Sequence, residues 1–271
     1  LVMRIIAALI LAPIALAVAY AGGWLWAVFV TLTAIGLYAE WLKIVNAQQA
    51  RVIASGVVAL GIAGLCLASG RMDAALGTLS FGLVIVLWLS STQRLWAATG
   101  FVYAGAAELA SVLVRRDPDI GFVALILILL VVWATDIGGY FAGRGVGGPK
   151  LWPRISPKKT WAGAVGGFAA SLAVAAGVAA FDFHQMNLSL ALKIGPLLLM
   201  GGTLSIVSQL GDLFESWVKR RFGVKDSSHI IPGHGGLLDR LDGYVAAVVV
   251  AAIFGILRGG ADGVGHGLMI W

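Results

Sequence analysis

Apolar runs of about 17 to 22 residues, long enough to cross a hydrocarbon core, recur from one end of the chain to the other. They fall near residues 4–20, 22–41, 51–69, 73–91, 94–113, 121–141, 160–181, 190–214 and 243–258, with short polar stretches between them. The pattern predicts an all-α polytopic membrane bundle of about nine transmembrane helices, forming one integrated membrane domain. The first run, with Arg4 ahead of it and Ala17-Val18-Ala19 near its end, also fits a cleavable signal peptide. Further spans follow directly, so an uncleaved first helix is the simpler expectation, and the opening Leu-Val-Met suggests that the chain does not begin at the natural start.

Composition removes the soluble alternative: 60% hydrophobic and only 12% charged residues over 271 positions exceed what a soluble core requires. Lys and Arg accumulate on cytoplasmic loops. With the polar loop at 211–242 placed inside, fourteen of the nineteen fall inside and five outside, which predicts a cytoplasmic N-terminus and an external C-terminus. That bias sits in two loops, since without 144–159 and 219–240 the count is four against five. The net charge of +6 suits an anionic membrane surface, and nothing in so apolar a chain indicates a nucleic-acid partner. Cys66, the single cysteine, excludes an internal disulfide framework and a Cys-based metal cluster. Trp24, Trp41, Trp88, Trp96, Trp133 and Trp161 lie near span ends and read as interface belts. The glycines and alanines within spans, as in Gly163-Ala-Val-Gly-Gly167, permit close helix contacts, a lipid entry groove or a homo-oligomer.

Candidate chemistry is concentrated between Gly211 and Asp242, which hold five of the thirteen acidic residues (Asp212, Glu215, Asp226, Asp239, Asp242) among a dense set of Lys and Arg. Charges so close to lipid need a functional reason. Asp212, Glu215, Ser216 and Lys219 share one helical face, which carries the eighth span out of the membrane. The glycines of Pro232-Gly-His-Gly-Gly236 allow tight turns and close approach to a ligand, and Asp239 and Asp242 open the ninth span. Two further groups face the same side. Asp136 and Tyr140, four apart, put a carboxylate and a phenol together at the inner end of the sixth span. The connecting loop carries Ser156-Pro-Lys158-Lys159-Thr160 just ahead of a helix, where backbone N–H groups also favour anions. No GxxxxGK[ST] phosphate loop is present. Carboxylates gathered with water and phosphate suit Mg²⁺, and the interspersed cations suit a polyphosphate.

In this stretch the chain resembles the phosphatidate cytidylyltransferases, or CDP-diacylglycerol synthases. Their signature has the form S-x-x-K-R-x4-K-D-x-[GSA]-x2-[hydrophobic]-[PG]-x-H-G-G-x-x-D-R-x-D. Here it runs in register through Ser216, Lys219, Arg220, Lys225, Asp226, Ser228, Pro232, His234, Gly235, Gly236, Asp239, Arg240 and Asp242. Asp136 to Arg144 and Ser156 to Trp161 also look like family segments, whereas the first 120 residues match only in hydrophobicity. Three positions depart from the family's habit: Gly243 stands where Ser is usual, Gly139 where Ala is common, and Ala162 where an acidic or amide side chain often occurs.

The resemblance implies that CTP and phosphatidate give CDP-diacylglycerol and pyrophosphate, by in-line attack of a phosphatidate oxygen on the α-phosphorus. Such catalysis is mostly positioning and charge neutralisation. It further implies residues 1–120 as scaffold and 121–271 as the catalytic region, with cytoplasmic loops 142–159 and 211–242, in a bacterial inner membrane. Asp212 and Asp239 are then the principal Mg²⁺ carboxylates, with a second ion allowed for, and Asp136, Asp226 and Asp242 are second choices. Ser216 and Lys219 hold phosphate oxygens. Ser156, Lys158, Lys159, Thr160, Arg220, Lys225 and Arg240 serve the triphosphate or the lipid phosphate. His234 orders the loop or touches phosphate, since an already anionic nucleophile needs no base. The competing reading is a transporter or channel with a cytoplasmic cation site, which calls for charges near mid-span on several helices. Apart from Asp136 and Glu108 the spans offer few, and Glu108 reads either as a structural pairing or as a lipid or bundle contact. A CDP-alcohol phosphotransferase is excluded because its D-G-x2-A-R pattern is absent.

Overall fold

The structure, a computed structural model, describes residues 2–181, 192–228 and 235–271, with side chains from residue 12 onward. Its helices are α1 (Val2–Ala21), α2 (Gly23–Ile44), α3 (Ala50–Ala68), α4 (Met72–Leu89), α5 (Arg94–Arg116), α6 (Gly121–Gly145), α7 (Trp161–Ala180), α8 (Ile194–Arg221), α9 (Leu238–Gly259) and α10 (Val264–Met269). Between α6 and α7 lies a two-stranded hairpin, β1 (Lys150–Trp152) and β2 (Ser156–Thr160). Eight of these helices, α2 to α9, are long and apolar enough to span a membrane. They fall on eight of the nine expected runs, and the remaining run coincides with α1. The all-α polytopic membrane architecture expected from the apolar pattern is therefore the one observed.

The chain forms two compact units, Leu1–Val112 with Val218–Leu241, and Leu113–Trp217 with Asp242–Trp271. In the first, several polar groups in the core find specific partners. The Tyr38 phenol donates to the Val52 carbonyl at 3.1 Å, and its ring lies where a Cβ on Gly56 would be, so α2 and α3 touch at that glycine. Trp26 and Trp41 donate their indole N–H groups to the carbonyls of Ser111 and Trp96, at 3.0 and 2.9 Å. Trp41, expected in an interface belt, is only 1% exposed, because that hydrogen bond satisfies its polar edge inside the protein. Trp24 and Trp88 are exposed on the protein's exterior. Glu108 is fully buried and accepts the Thr31 hydroxyl at 2.7 Å, which makes it a structural pairing.

In the second unit α6 and α7 pack through small residues. Side chains added at Gly138, Gly166 or Gly167 would run into Ala170, Ala142 or the Thr135 carbonyl, so the two backbones approach as closely as glycine allows. Helix α8 joins them where the Thr135 hydroxyl donates to Ser205 at 2.9 Å, and Gly211 of α8 meets Asp242 and Ala246 of α9. The segment expected as a plain connecting loop folds as the antiparallel hairpin, Lys150 opposite Thr160 and Trp152 opposite Ser156. Thr160 then caps α7, its hydroxyl accepting from Gly163 N at 3.1 Å. A cap of this kind contributes about 1 kcal/mol.

Candidate active site

The second unit holds a cavity of about 440 Å³ at the ends of α6, α7 and α8 and beside the hairpin. Its walls include Asp136 and Tyr140 from α6, Lys158, Lys159 and Thr160 from β2, and Asp212 from α8. The hairpin is what brings its lysines to the carboxylates, since it returns the chain directly into α7, and α7 is held against α6 by their glycine contacts. Lys159 Nζ lies 2.5 Å from Asp212 Oδ2, each side chain about 30% exposed. Asp212 Oδ1 also accepts from Ser216 Oγ one turn along α8, at 3.4 Å. Asp242 in α9 lies within electrostatic reach of Asp212, Asp136 and Lys159. Tyr140 and Arg144 form a second pair, the guanidinium donating to the phenolic oxygen at 2.9 Å. Ser156 opens β2 opposite Trp152 and is not part of the cavity wall. Gly243 packs on Ser208, whose hydroxyl would lie 2.5 Å from any Cβ added there. A serine hydroxyl from α8 thus occupies the space beside the position where the family usually places its own.

The first unit carries the rest of the signature. Lys219, near the end of α8, holds Asp239 Oδ1 at 2.6 Å, with both side chains nearly buried. Asp239 also accepts from the backbone N–H of Ser227 and from Gly236 N, each at 3.0 Å, and its Oδ2 lies 3.0 Å from the Ser227 hydroxyl, whose single proton it shares with Glu40. Lys225 and Asp226 are exposed and line a separate polar cavity of about 420 Å³ with Lys43, Asn46 and Gln48. Arg220 is exposed at the end of α8 and Arg240 in the first turn of α9. His234 lies outside the described residues.

A residue that the sequence reading passed over stands at the centre of this region. Glu40, in α2 and 1% exposed, accepts from the hydroxyls of Ser227 and Ser228 and from the backbone N–H groups of Leu237 and Leu238. The signal was available: a carboxylate inside an apolar run calls for a partner, but the partner is 187 positions away in sequence.

Among the described residues no three His, Cys, Asp or Glu side chains converge closely enough to ligate a metal by themselves. The cluster of Asp136, Asp212 and Asp242 offers the carboxylate oxygens that suit a hard divalent cation retaining part of its water shell, with Arg144, Lys158 and Lys159 on the same cavity wall for the phosphates such a cation would accompany.

The model of the Cytidylyltransferase family matches residues 2–257. A phosphatidate cytidylyltransferase of Brucella suis biovar 1 (strain 1330) is 40% identical over 263 residues, covering 94% of this chain and 93% of the relative. That of Bacillus subtilis (strain 168) is 33% identical over 211 residues, 78% of this chain and 73% of the relative. That of Haemophilus influenzae is 42% identical over 154 residues, 56% of this chain and 52% of the relative. The match thus includes the N-terminal spans, where the signature alone offered no motif, and the chain belongs to the cytidylyltransferase family, with phosphatidate cytidylyltransferases as relatives across nearly its whole length.

Proposed function

We propose that this protein is a phosphatidate cytidylyltransferase working with Mg²⁺ at the cytoplasmic face of a bacterial inner membrane. A phosphatidate oxygen forms a bond to the α-phosphorus of CTP, the bond from that phosphorus to the bridging oxygen breaks, and pyrophosphate leaves with the electron pair. The observation that carries the reading is the cavity in which Lys159 meets Asp212 beside Asp136 and Asp242. Cations and carboxylates alternate there at the end of lipid-spanning helices, where a soluble nucleotide and a membrane lipid are both within reach.

The chain's own residues bind and orient. Lys158 and Lys159, with the N-terminus of α7 behind them, neutralise triphosphate oxygens. Asp212, with Asp136 and Asp242, would hold Mg²⁺, which supplies charge neutralisation at the transferred phosphoryl group when bound. Ser216 steadies Asp212. Asp239, whose oxygens are engaged by Lys219, Ser227 and Gly236, would take the metal role expected of it only by releasing Lys219. Its first task is to order the signature loop. Lys219, Lys225, Arg220 and Arg240 then provide cationic charge for phosphate oxygens. No proton is removed from the nucleophile, which is anionic near neutral pH.

Purified protein supplied with labelled CTP, phosphatidate and Mg²⁺ is expected to form CDP-diacylglycerol and pyrophosphate. Asp212→Asn should lower turnover by about 100-fold or more while the protein stays folded in detergent. Absence of a lipid nucleotide product from folded wild-type protein would overturn the activity. Full turnover in Asp212→Asn would overturn the role of the carboxylate.

A further inference from the structure

Glu40 ties together the two stems of the signature loop. Oε1 accepts from Ser228 Oγ at 2.6 Å and Leu237 N at 2.9 Å, and Oε2 accepts from Ser227 Oγ at 2.9 Å and Leu238 N at 2.8 Å. Two of these donors precede residues 229–234 and two follow them. The latter two are N–H groups at the start of α9, which have no acceptor within the helix and attract negative charge. One carboxylate therefore joins Ser227 and Ser228 to Leu237 and Leu238 and caps the helix at once.

The network continues to the charged pair of the signature. Ser227 Oγ lies 2.9 Å from Glu40 Oε2 and 3.0 Å from Asp239 Oδ2, and Asp239 holds Lys219. Gly236 completes it: a Cβ there would overlap Ser227 Oγ and come within 2.6 Å of Glu40 Oε2. The second glycine of the Gly235-Gly236 pair is thus required by the approach of Glu40, where sequence alone suggested the approach of a ligand. A carboxylate sealed from water is expensive to keep, and packing α2 against this loop would need only apolar contact. What an apolar residue cannot do is hold four donors from both stems in one register.

We propose that Glu40 is a positioning residue for cytidylyl transfer, acting through Ser227 and Ser228 to set the Lys219–Asp239 pair and the Lys225–Asp226 stem. It touches no substrate. The role rests on the activity proposed above, so the test includes a readout independent of turnover.

Glu40→Gln keeps the shape but turns an NH₂ toward two of the four donors. Amide hydrogen exchange at Leu237 and Leu238 should accelerate by about tenfold or more. Because small misplacements of reacting groups are amplified in rate, kcat should fall about 10- to 100-fold, with little change in the KM for phosphatidate and a melting temperature close to that of wild type. Adding Ser227→Ala and Ser228→Ala to Glu40→Gln should lower kcat by less than the product of the separate effects, since all act through one network. Where Glu40→Gln does not fold, Ser228→Ala alone, which removes one of the four bonds, should show the same split on a smaller scale. Unchanged exchange at Leu237 and Leu238, a wild-type kcat, or a loss of activity that only follows loss of folded protein would each overturn the proposal. A wild-type protein without cytidylyltransferase activity would sink the function instead, and the exchange experiment would still decide whether Glu40 is the clamp.

Discussion

Lys159 and Asp212 meet at 2.5 Å with about 30% of each side chain open, so the pair is too exposed to contribute more than about 1 kcal/mol to stability. Its value lies in having both charges ready where a triphosphate and a cation would separate them. Lys159→Met should accordingly leave the melting temperature nearly unchanged while raising the KM for CTP and lowering kcat, measured by CDP-diacylglycerol formation over a CTP series. A melting temperature that falls in step with activity would show a structural role instead. Lys219 and Asp239 form the opposite kind of pair, with side chains only 12 and 13% exposed and the carboxylate further held by Ser227 and Gly236. Removing either partner leaves a charge stranded in the protein, which is costly. Charge reversal or neutralisation there will therefore damage folding as well as chemistry, and Lys159 is the cleaner probe of substrate binding.

At the scale of elements, the α6–α7 pair positions the cavity, and it does so through glycine. A methyl group on Gly167 would sit 2.5 Å from the Thr135 carbonyl oxygen, whereas one on Gly177 of the same helix meets nothing within 4 Å. Gly167→Ala should destabilise the protein by about 1 to 3 kcal/mol through overpacking and reduce turnover by moving Asp136 away from the hairpin. Gly177→Ala should be neutral or slightly stabilising, as alanine favours helix by about 1 kcal/mol. Thermal melts and initial rates of the two variants side by side check this, and equal behaviour would show that the helices are not held by that contact. The helices themselves were legible in the sequence because their apolar runs are long and continuous. The hairpin at 150–160 was not. Its strands are only three and five residues long, too short to leave a period-two pattern, and Gly147 and Gly148 at positive φ turn the chain out of α6 ahead of β1.

For the whole molecule, the testable property is its orientation in the membrane. The charge bias puts loops 142–159 and 211–242 inside and the ends of α3 and α9 outside. In a protein with Cys66 replaced, single cysteines at Arg154 and Lys225 should react with a membrane-impermeant maleimide only after cells are opened. Cysteines at Arg71 and Asp262 should react in intact cells whose outer barrier is permeable. The reverse pattern would invert the topology and remove CTP's access to Lys158 and Lys159.

What the sequence determined by itself was the membrane class, the apolar runs on which α2 to α9 fall, and the signature with its cations and carboxylates. These follow from local rules, since span length, charge placement and motif spacing are all read along the chain. Tertiary structure alone decided which of those charges meet. It paired Lys159 with Asp212 and Lys219 with Asp239, buried Trp41 as a core donor, and brought Glu40 to the stems of a loop nearly two hundred residues away. A buried carboxylate is stable only where donors converge in space, and convergence over such separations leaves no local pattern in the chain.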